Sequence, residues 1–186
     1  AVTITPEIAI TTSSTLVCEA TASDEDGDAL TLSYSWMNSI TGDALGTDAT
    51  LTLSTDTASP GDGIVCTAVV TDPSGGTDTG SASVSVDNTD PEITSVTITP
   101  ESEVITSTVL TCLATASDAD GDDPDLSYSW TNATTGSLLG SGTDTVTLSS
   151  TTASPGDIIT CTATAEDADG GTDEGSASVT VDNINP

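Results

Sequence analysis

The stretch Asp-Glu-Asp-Gly-Asp-Ala-Leu-Thr-Leu-Ser-Tyr-Ser-Trp at residues 24–36 recurs 94 positions later as Asp-Ala-Asp-Gly-Asp-Asp-Pro-Asp-Leu-Ser-Tyr-Ser-Trp at residues 118–130. Its first half is an acidic run broken by glycine, which is turn chemistry. In its second half Leu30, Leu32, Tyr34 and Trp36 alternate with small polar residues, the period of a half-buried strand. Around it, Ala-Ser-Pro-Gly-Asp, Cys-Thr-Ala, Gly-Gly-Thr-Asp, Gly-Ser-Ala-Ser-Val and Val-Asp-Asn also occur twice, in the same order. A fixed period of this kind marks tandem modules, here residues 1–90 and 91–186, each large enough for one small core.

The alternation continues outward in both directions. In the first module Leu16, Cys18, Ala20 and Ala22 share one face, followed by Leu51 and Leu53, then Ile64, Cys66, Ala68 and Val70, then Ala82, Val84 and Val86. The second repeats it with Leu110, Cys112 and Ala114; Leu126, Tyr128 and Trp130; Val146 and Leu148; Ile159, Cys161 and Ala163; and Ala177, Val179 and Val181. Leading strands around residues 2–5 and 96–99 bring the expectation to about seven strands per module. The fold class is therefore all-β, with two sheets face to face in each module. The cores are thin, because Phe is absent and the aromatic residues are two Trp and two Tyr.

Four cysteines compensate. Cys18 and Cys66 fall in the first module and Cys112 and Cys161 in the second, so the repeat selects one bridge within each. Such bridges indicate an oxidising compartment. With no His and no CxxC pair, a thiolate zinc centre has no ligand set.

Charge narrows the function classes further. The chain has no Lys, Arg or His against 30 Asp and Glu, a formal net charge of −30. Each carboxylate must be solvated, hydrogen-bonded or neutralised by an external cation. Nucleic acid and anionic membrane surfaces are excluded as partners, since both require basic residues. No apolar stretch is long enough to span a bilayer as a helix. Catalysis would rest on carboxylates alone, with no His, Lys, Arg or free thiol to activate a substrate, so the chain reads as a non-enzyme. Ala1 falls in a strand-like stretch, and the chain reads as mature or as excised from something longer.

The order Cys18, Trp36, Cys66, and again Cys112, Trp130, Cys161, resembles the immunoglobulin-type sandwich, in which a buried Trp packs on an inter-sheet disulfide. The gap from first Cys to Trp exceeds that of antibody domains because the acidic run intervenes. In a sandwich of this type, that loop and the one before the last strand lie at the same end. The resemblance thus implies that Asp24, Asp26 and Asp28 converge with Asp72 and Asp78, and that Asp118, Asp120 and Asp122 converge with Asp167, Asp169 and Asp173. Two carboxylates about 5 Å apart at an effective dielectric near 20 repel by roughly 3 kcal/mol, and a cation relieves this. Clustered Asp oxygens on glycine-permitted turns describe calcium rather than magnesium, which keeps its waters. The spacing is not that of an EF-hand. Glu25 is exchanged for Ala119 between modules, so that position is expected to point away.

The first module ends Val-Asp-Asn-Thr-Asp-Pro at residues 86–91, and the second ends Val-Asp-Asn-Ile-Asn-Pro at residues 181–186. The placement of Asp87, Asn88 and Asp90 resembles the cadherin arrangement, which implies a shared calcium ion that stiffens the joint; the Arg-containing cadherin motif is absent. The run from Asp-x-Asp-Gly-Asp to Tyr-Ser-Trp also resembles PKD-type repeats of bacterial surface proteins, without their Phe-Gly-Asp-Gly continuation. Together these resemblances imply an extracellular or cell-surface bacterial protein, a segment of a fibre or adhesin stalk whose partners are further copies of the module. The alternative is a secreted binding module that recognises a carbohydrate or protein through exposed loops. Two motifs read as weaker signals: the sequon Asn132-Ala133-Thr134, which the first module lacks, and Ala-Ser-Pro-Gly-Asp at residues 58–62 and 153–157, a tight turn before the strand of the second Cys.

Overall fold

Alternating Leu, Val, Ile and Cys against Thr and Ser is satisfied only where one face of each strand is covered, and the chain achieves this twice. The computed structural model describes residues 1–184; Asn185 and Pro186, which close the second linker motif, lie outside the described residues. Two units result, Ala1–Thr89 and one beginning at Asp90. Among the described residues there is no helix.

In unit 1 the strands are β1 (Val2–Thr5), β2 (Thr15–Ala20), β3 (Thr31–Asn38), β4 (Ala44–Gly46), β5 (Thr50–Thr52), β6 (Gly63–Thr71) and β7 (Thr77–Ser85). They form a three-stranded sheet, β1-β2-β5, and a four-stranded sheet, β4-β3-β6-β7. Unit 2 comprises β8 (Glu92–Thr99), β9 (Val109–Ser117), β10 (Asp125–Asn132), β11 (Ser137–Ser141), β12 (Thr145–Thr147), β13 (Ile158–Glu166) and β14 (Thr172–Thr180). Its sheets are β12-β9-β8 and β11-β10-β13-β14. Each unit is an Ig-like sandwich of seven strands. Sequence alternation does not reveal β4 and β11; each pairs through a bulge, at Trp36/Met37 and Trp130/Thr131, which breaks the period-two signal.

The disulfides join the two sheets of each unit. Cys18 of β2 bonds Cys66 of β6, and Cys112 of β9 bonds Cys161 of β13, with 6.4 Å between the Cα atoms in both. Beside each bond sits the Trp, Trp36 opposite Cys66 and Trp130 opposite Cys161 in register. Both indoles are core, 1% and 0% exposed, and both Nε1–H groups donate to a backbone carbonyl, Asp48 at 2.8 Å and Thr143 at 3.3 Å. A buried indole without such an acceptor would leave its donor unsatisfied at a cost of about 1–3 kcal/mol. Leu16, Leu53, Ile64 and Val86 complete the first core; Leu110, Leu148, Ile159 and Val181 complete the second. Ile10 and Val104, both 0% exposed, are core residues that come from loops and carry no periodic signal. Their carbonyls accept the N–H groups of Asp87 and Asp182, each at 2.6 Å, pinning the segment after each last strand.

In unit 2, β8 begins at Glu92 and pairs with β9 as far as Ser117. In unit 1 β1 pairs with β2 from Thr5 and Val17 to Val2 and Ala20, Ala1 and Thr21 exchange backbone hydrogen bonds of 2.8 Å beyond it, and β2 ends at Ala20, short of the expected Ala22. Glycine in the last strand allows the first strand to lie close. A Cβ on Gly175 would come within 2.7 Å of Ile93 Cγ2 and 2.9 Å of Val96 Cγ2; one on Gly80 would meet Val2 Cγ2 at 2.9 Å.

Candidate functional site

Each acidic loop is organised by its first aspartate. Asp24 Oδ1 accepts the N–H groups of Asp26 at 2.8 Å and Asp28 at 3.3 Å, and Asp118 Oδ1 accepts that of Asp120 at 2.6 Å. Before the last strand, Asp72 Oδ1 accepts Gly76 N–H at 2.9 Å, and Asp167 Oδ1 accepts Asp169 N–H at 2.9 Å and Gly171 N–H at 2.7 Å. The short carboxylate closes the turn on its own backbone. Gly27 and Gly121 adopt φ of 79° and 90° at the tips, where a side chain would be strained. This arrangement commits one oxygen of each leading aspartate to its own turn.

In unit 2 the two loops influence each other. Burial raises the Asp118 pKa above the ordinary 3.8, the charges of Asp120, Asp122 and Asp167 push it the same way, and the Asp120 N–H opposes them. Asp118 Oδ2 is buried without a hydrogen-bond partner. Asp120 and Asp167 are each 7% exposed, unusual for aspartate in a chain with no Lys, Arg or His. Asp122 and Asp169 are exposed, as is Ala119. Asp173 is engaged elsewhere: its Oδ2 accepts the N–H of Ile93 at 2.8 Å, tying the start of β8 to β14. As the side chains stand, no three His, Cys, Asp or Glu among the described residues form a group that could hold a metal ion.

The unit 1 loops are open. Asp26, Asp28 and Asp78 are exposed, as is Glu25, and Asp24 and Asp72 are half-buried. Asp24, Asp72 and Asp78 line one cleft together with Ala22, Leu30 and Val70. Thus the same two loops meet at one end here as well, but around an accessible space. Of the linker residues, exposed Asp87 and half-buried Asn88 close unit 1, and exposed Asp90 opens unit 2.

A second polar cluster, at Ala-Ser-Pro-Gly-Asp, does more than punctuate. Asn38 Nδ2 donates to Asp62 Oδ2 at 2.7 Å, and the same oxygen accepts Ser59 N–H at 2.9 Å. Asn38 Oδ1 accepts the N–H groups of Ile40 and Thr41 at 3.0 and 3.3 Å. Unit 2 repeats the clamp: Asn132 Nδ2 donates to Asp157 Oδ2 at 2.8 Å and to Thr152 O at 3.1 Å, and Ser154 N–H reaches Asp157 Oδ2 at 2.9 Å. The Asn132 bond, then the Ser154 N–H, hold the Asp157 pKa below 3.8. Asn132 is 0% exposed. Its sequon is therefore a structural coincidence in the folded unit, since the amide that would carry a glycan is buried and donating. The repeated Asn two positions after each Trp was the available signal.

The fold and these loops define an all-β chain of tandem Ig-like sandwiches, each stapled by a disulfide and carrying an acidic end. No family model matches the chain, and no curated protein matches it. Among solved structures it is similar to a two-domain fibronectin type III segment of chicken tenascin, at 10% identity over 97% of this chain and 98% of that one, with a TM-score of 0.47. It is also similar to mouse cadherin-23 EC22-24, at 12% identity over 98% of this chain and 66% of that one, TM-score 0.41. A tetra-tandem repeat in the extending region of a large adhesion protein is 16% identical over 97% of this chain and 48% of that one, TM-score 0.38. All three TM-scores lie below 0.5; the fold assignment rests on strand order, register and the disulfides.

Proposed function

We propose that this chain is a structural repeat segment of an extracellular surface fibre or adhesin stalk, bacterial by its PKD-type resemblance, with calcium stiffening the joint between modules. The observation that carries the reading is Asp118 Oδ2, an anionic oxygen buried without a donor among Asp120, Asp122 and Asp167. That environment suits a cation. Asp118, Asp120 and Asp167 would hold it, with Asp87, Asn88 and Asp90 as the linker donors that the cadherin resemblance supplies. The ion would neutralise carboxylates that otherwise repel, and hard oxygen donors on turns favour calcium. The first module's loops, more exposed, would hold an ion less tightly.

The alternative of a carbohydrate-binding module loses its best support, since Trp36 and Trp130 are buried rather than offered as stacking platforms. The reading assigns the chain no catalytic role. Thermal unfolding in calcium and in chelator with matched monovalent salt tests the ion. At ten times its dissociation constant one site adds roughly 1.4 kcal/mol, so the calcium sample is expected to melt higher. Equal melting temperatures would overturn the calcium reading. Negative-stain images of native material test the fibre, and isolated particles that never extend would count against it.

A further inference from the structure

The two units finish the same rim of their four-stranded sheets differently. In unit 1 the rim strand β4 is three residues long, and a carboxylate stands on either side of it, Asp43 before and Asp48 after. Short, charged rims are one way in which sheets avoid pairing with other chains, since an edge strand otherwise offers a row of backbone donors and acceptors. In unit 2 the rim strand β11 is five residues long, Ser-Leu-Leu-Gly-Ser, and both charges are gone. Ser137 stands where unit 1 has Asp43, and Thr143 where it has Asp48, whose carbonyls take the same bond from the Trp indole. Leu138 takes the register position of Ala44 and is 67% exposed.

β11 pairs with β10 alone, so its other side has no ladder partner among the described residues. The ground beside it is open, a depression of about 210 Å³ lined in part by Ser137, Leu138, Leu139 and Thr151. No Asp or Glu occurs between Asp125 and Asp144, in a chain whose net charge is −30. The outward positions of β10 next to the rim, Ser127, Ser129 and Thr131, add hydroxyls and no charge.

We propose that β11 is the surface through which two copies of this chain join side by side, rim to rim and antiparallel, extending the unit 2 sheet across a two-fold axis. Charge identifies the occupant. Like charges facing each other across paired strands are destabilising, so a copy as acidic as the chain itself can approach only a rim from which Asp has been removed. A basic partner would instead favour the carboxylates that unit 1 keeps. The antiparallel pair is self-complementary, because each copy offers the other the same exposed backbone and the same Leu138. This lateral contact goes beyond modules joined end to end and does not depend on that reading.

Sedimentation velocity of the full chain in chelator, from about 10 μM to about 1 mM, tests the contact without an ion bridge. A reversible dimer is expected. It should tighten by about tenfold or more between low salt and about 1 M monovalent salt, where screening removes the repulsion between the remaining surfaces. Amide exchange at residues 137–141 should slow by about tenfold at the higher concentration. Ser137→Asp, Leu138→Ala and Thr143→Asp together give unit 2 the rim residues that unit 1 already carries. That variant should weaken association by about tenfold or more, while its unit 2 melting temperature stays within about 5 °C of the parent. A monomer at every concentration in high salt, a dimer that the variant leaves intact, or protection confined to residues outside β11 would overturn the proposal. End-to-end fibres are scored separately, by imaging.

Discussion

Gly175→Ala and Gly80→Ala make one chemical change at matching positions, and the structure separates their outcomes. At Gly175 the new methyl would lie 2.7 Å from Ile93 Cγ2 and 2.9 Å from Val96 Cγ2. Comfortable carbon contacts need about 3.5–4.0 Å, so both approaches are short by more than half an ångström. Both neighbours branch at Cβ and resist χ1 rotation, leaving off-rotamer strain of about 0.5–1.5 kcal/mol each or a displacement of β8 from β14. The expected cost is about 1–3 kcal/mol. At Gly80 only Val2 Cγ2 intrudes, at 2.9 Å, so one strained neighbour, about 0.5–1.5 kcal/mol, replaces two. Replacing Gly by Ala also restricts the unfolded chain by about 0.4–1 kcal/mol, so Gly80→Ala should be nearly neutral. Calorimetry of the full chain, with exchange mass spectrometry to assign each transition, should show unit 2 of Gly175→Ala melting about 4–15 °C lower. Unit 1 of Gly80→Ala should shift by no more than a few degrees. A wild-type transition for Gly175→Ala, or a larger loss for Gly80→Ala, would refute the packing argument.

Further outcomes follow from the same geometry. Replacing Cys112 and Cys161 together by Ser reopens a span of 49 residues and should cost unit 2 about 4 kcal/mol, read by denaturant melts; a loss below about 1 kcal/mol would contradict it. Asn132→Ala removes the donor to Asp157 and should cost about 1–3 kcal/mol. Because the folded Asp157 pKa is depressed, its stabilisation is present above pH 3.8 and disappears as pH falls through the lower folded value; Asn132→Ala should flatten that acid limb, and an unchanged limb would refute the clamp. Asp118 behaves oppositely. Its raised pKa means that, in chelator, stability grows as pH falls through the folded value toward 3.8, and Asp118→Asn should remove that part of the slope; identical slopes in both proteins would count against a strained carboxylate.

Much of this architecture is legible in the chain because its main determinants are periodic. Leu16 with Cys18, and Tyr34 with Trp36, announce strands and the face they bury, and the duplicated cysteines leave one sensible pairing. Ile10 and Val104 escape because a lone apolar residue in a loop carries no period. Asn38 and Asn132 escape because asparagine before a small residue reads as a turn, and only their partners Asp62 and Asp157, more than twenty positions on, reveal the buried clamp. The unequal burial of Asp26 and Asp120 is illegible for another reason. The two loops are nearly identical in sequence, so any difference arises from what the fold sets beside them.

The inter-sheet disulfides also govern how such a chain would behave under tension. Unfolded by a pull on its two ends, a unit of 89 residues could lengthen to about 310 Å at full extension. With 48 of those positions held behind the Cys18–Cys66 bond, only about 140 Å can be released. Each unit thus acts as a tether with a built-in stop, giving way by less than half its contour length. Reduction of that single bond would more than double the slack, which would make the mechanical reach of a filament built from such units a function of the redox state around it.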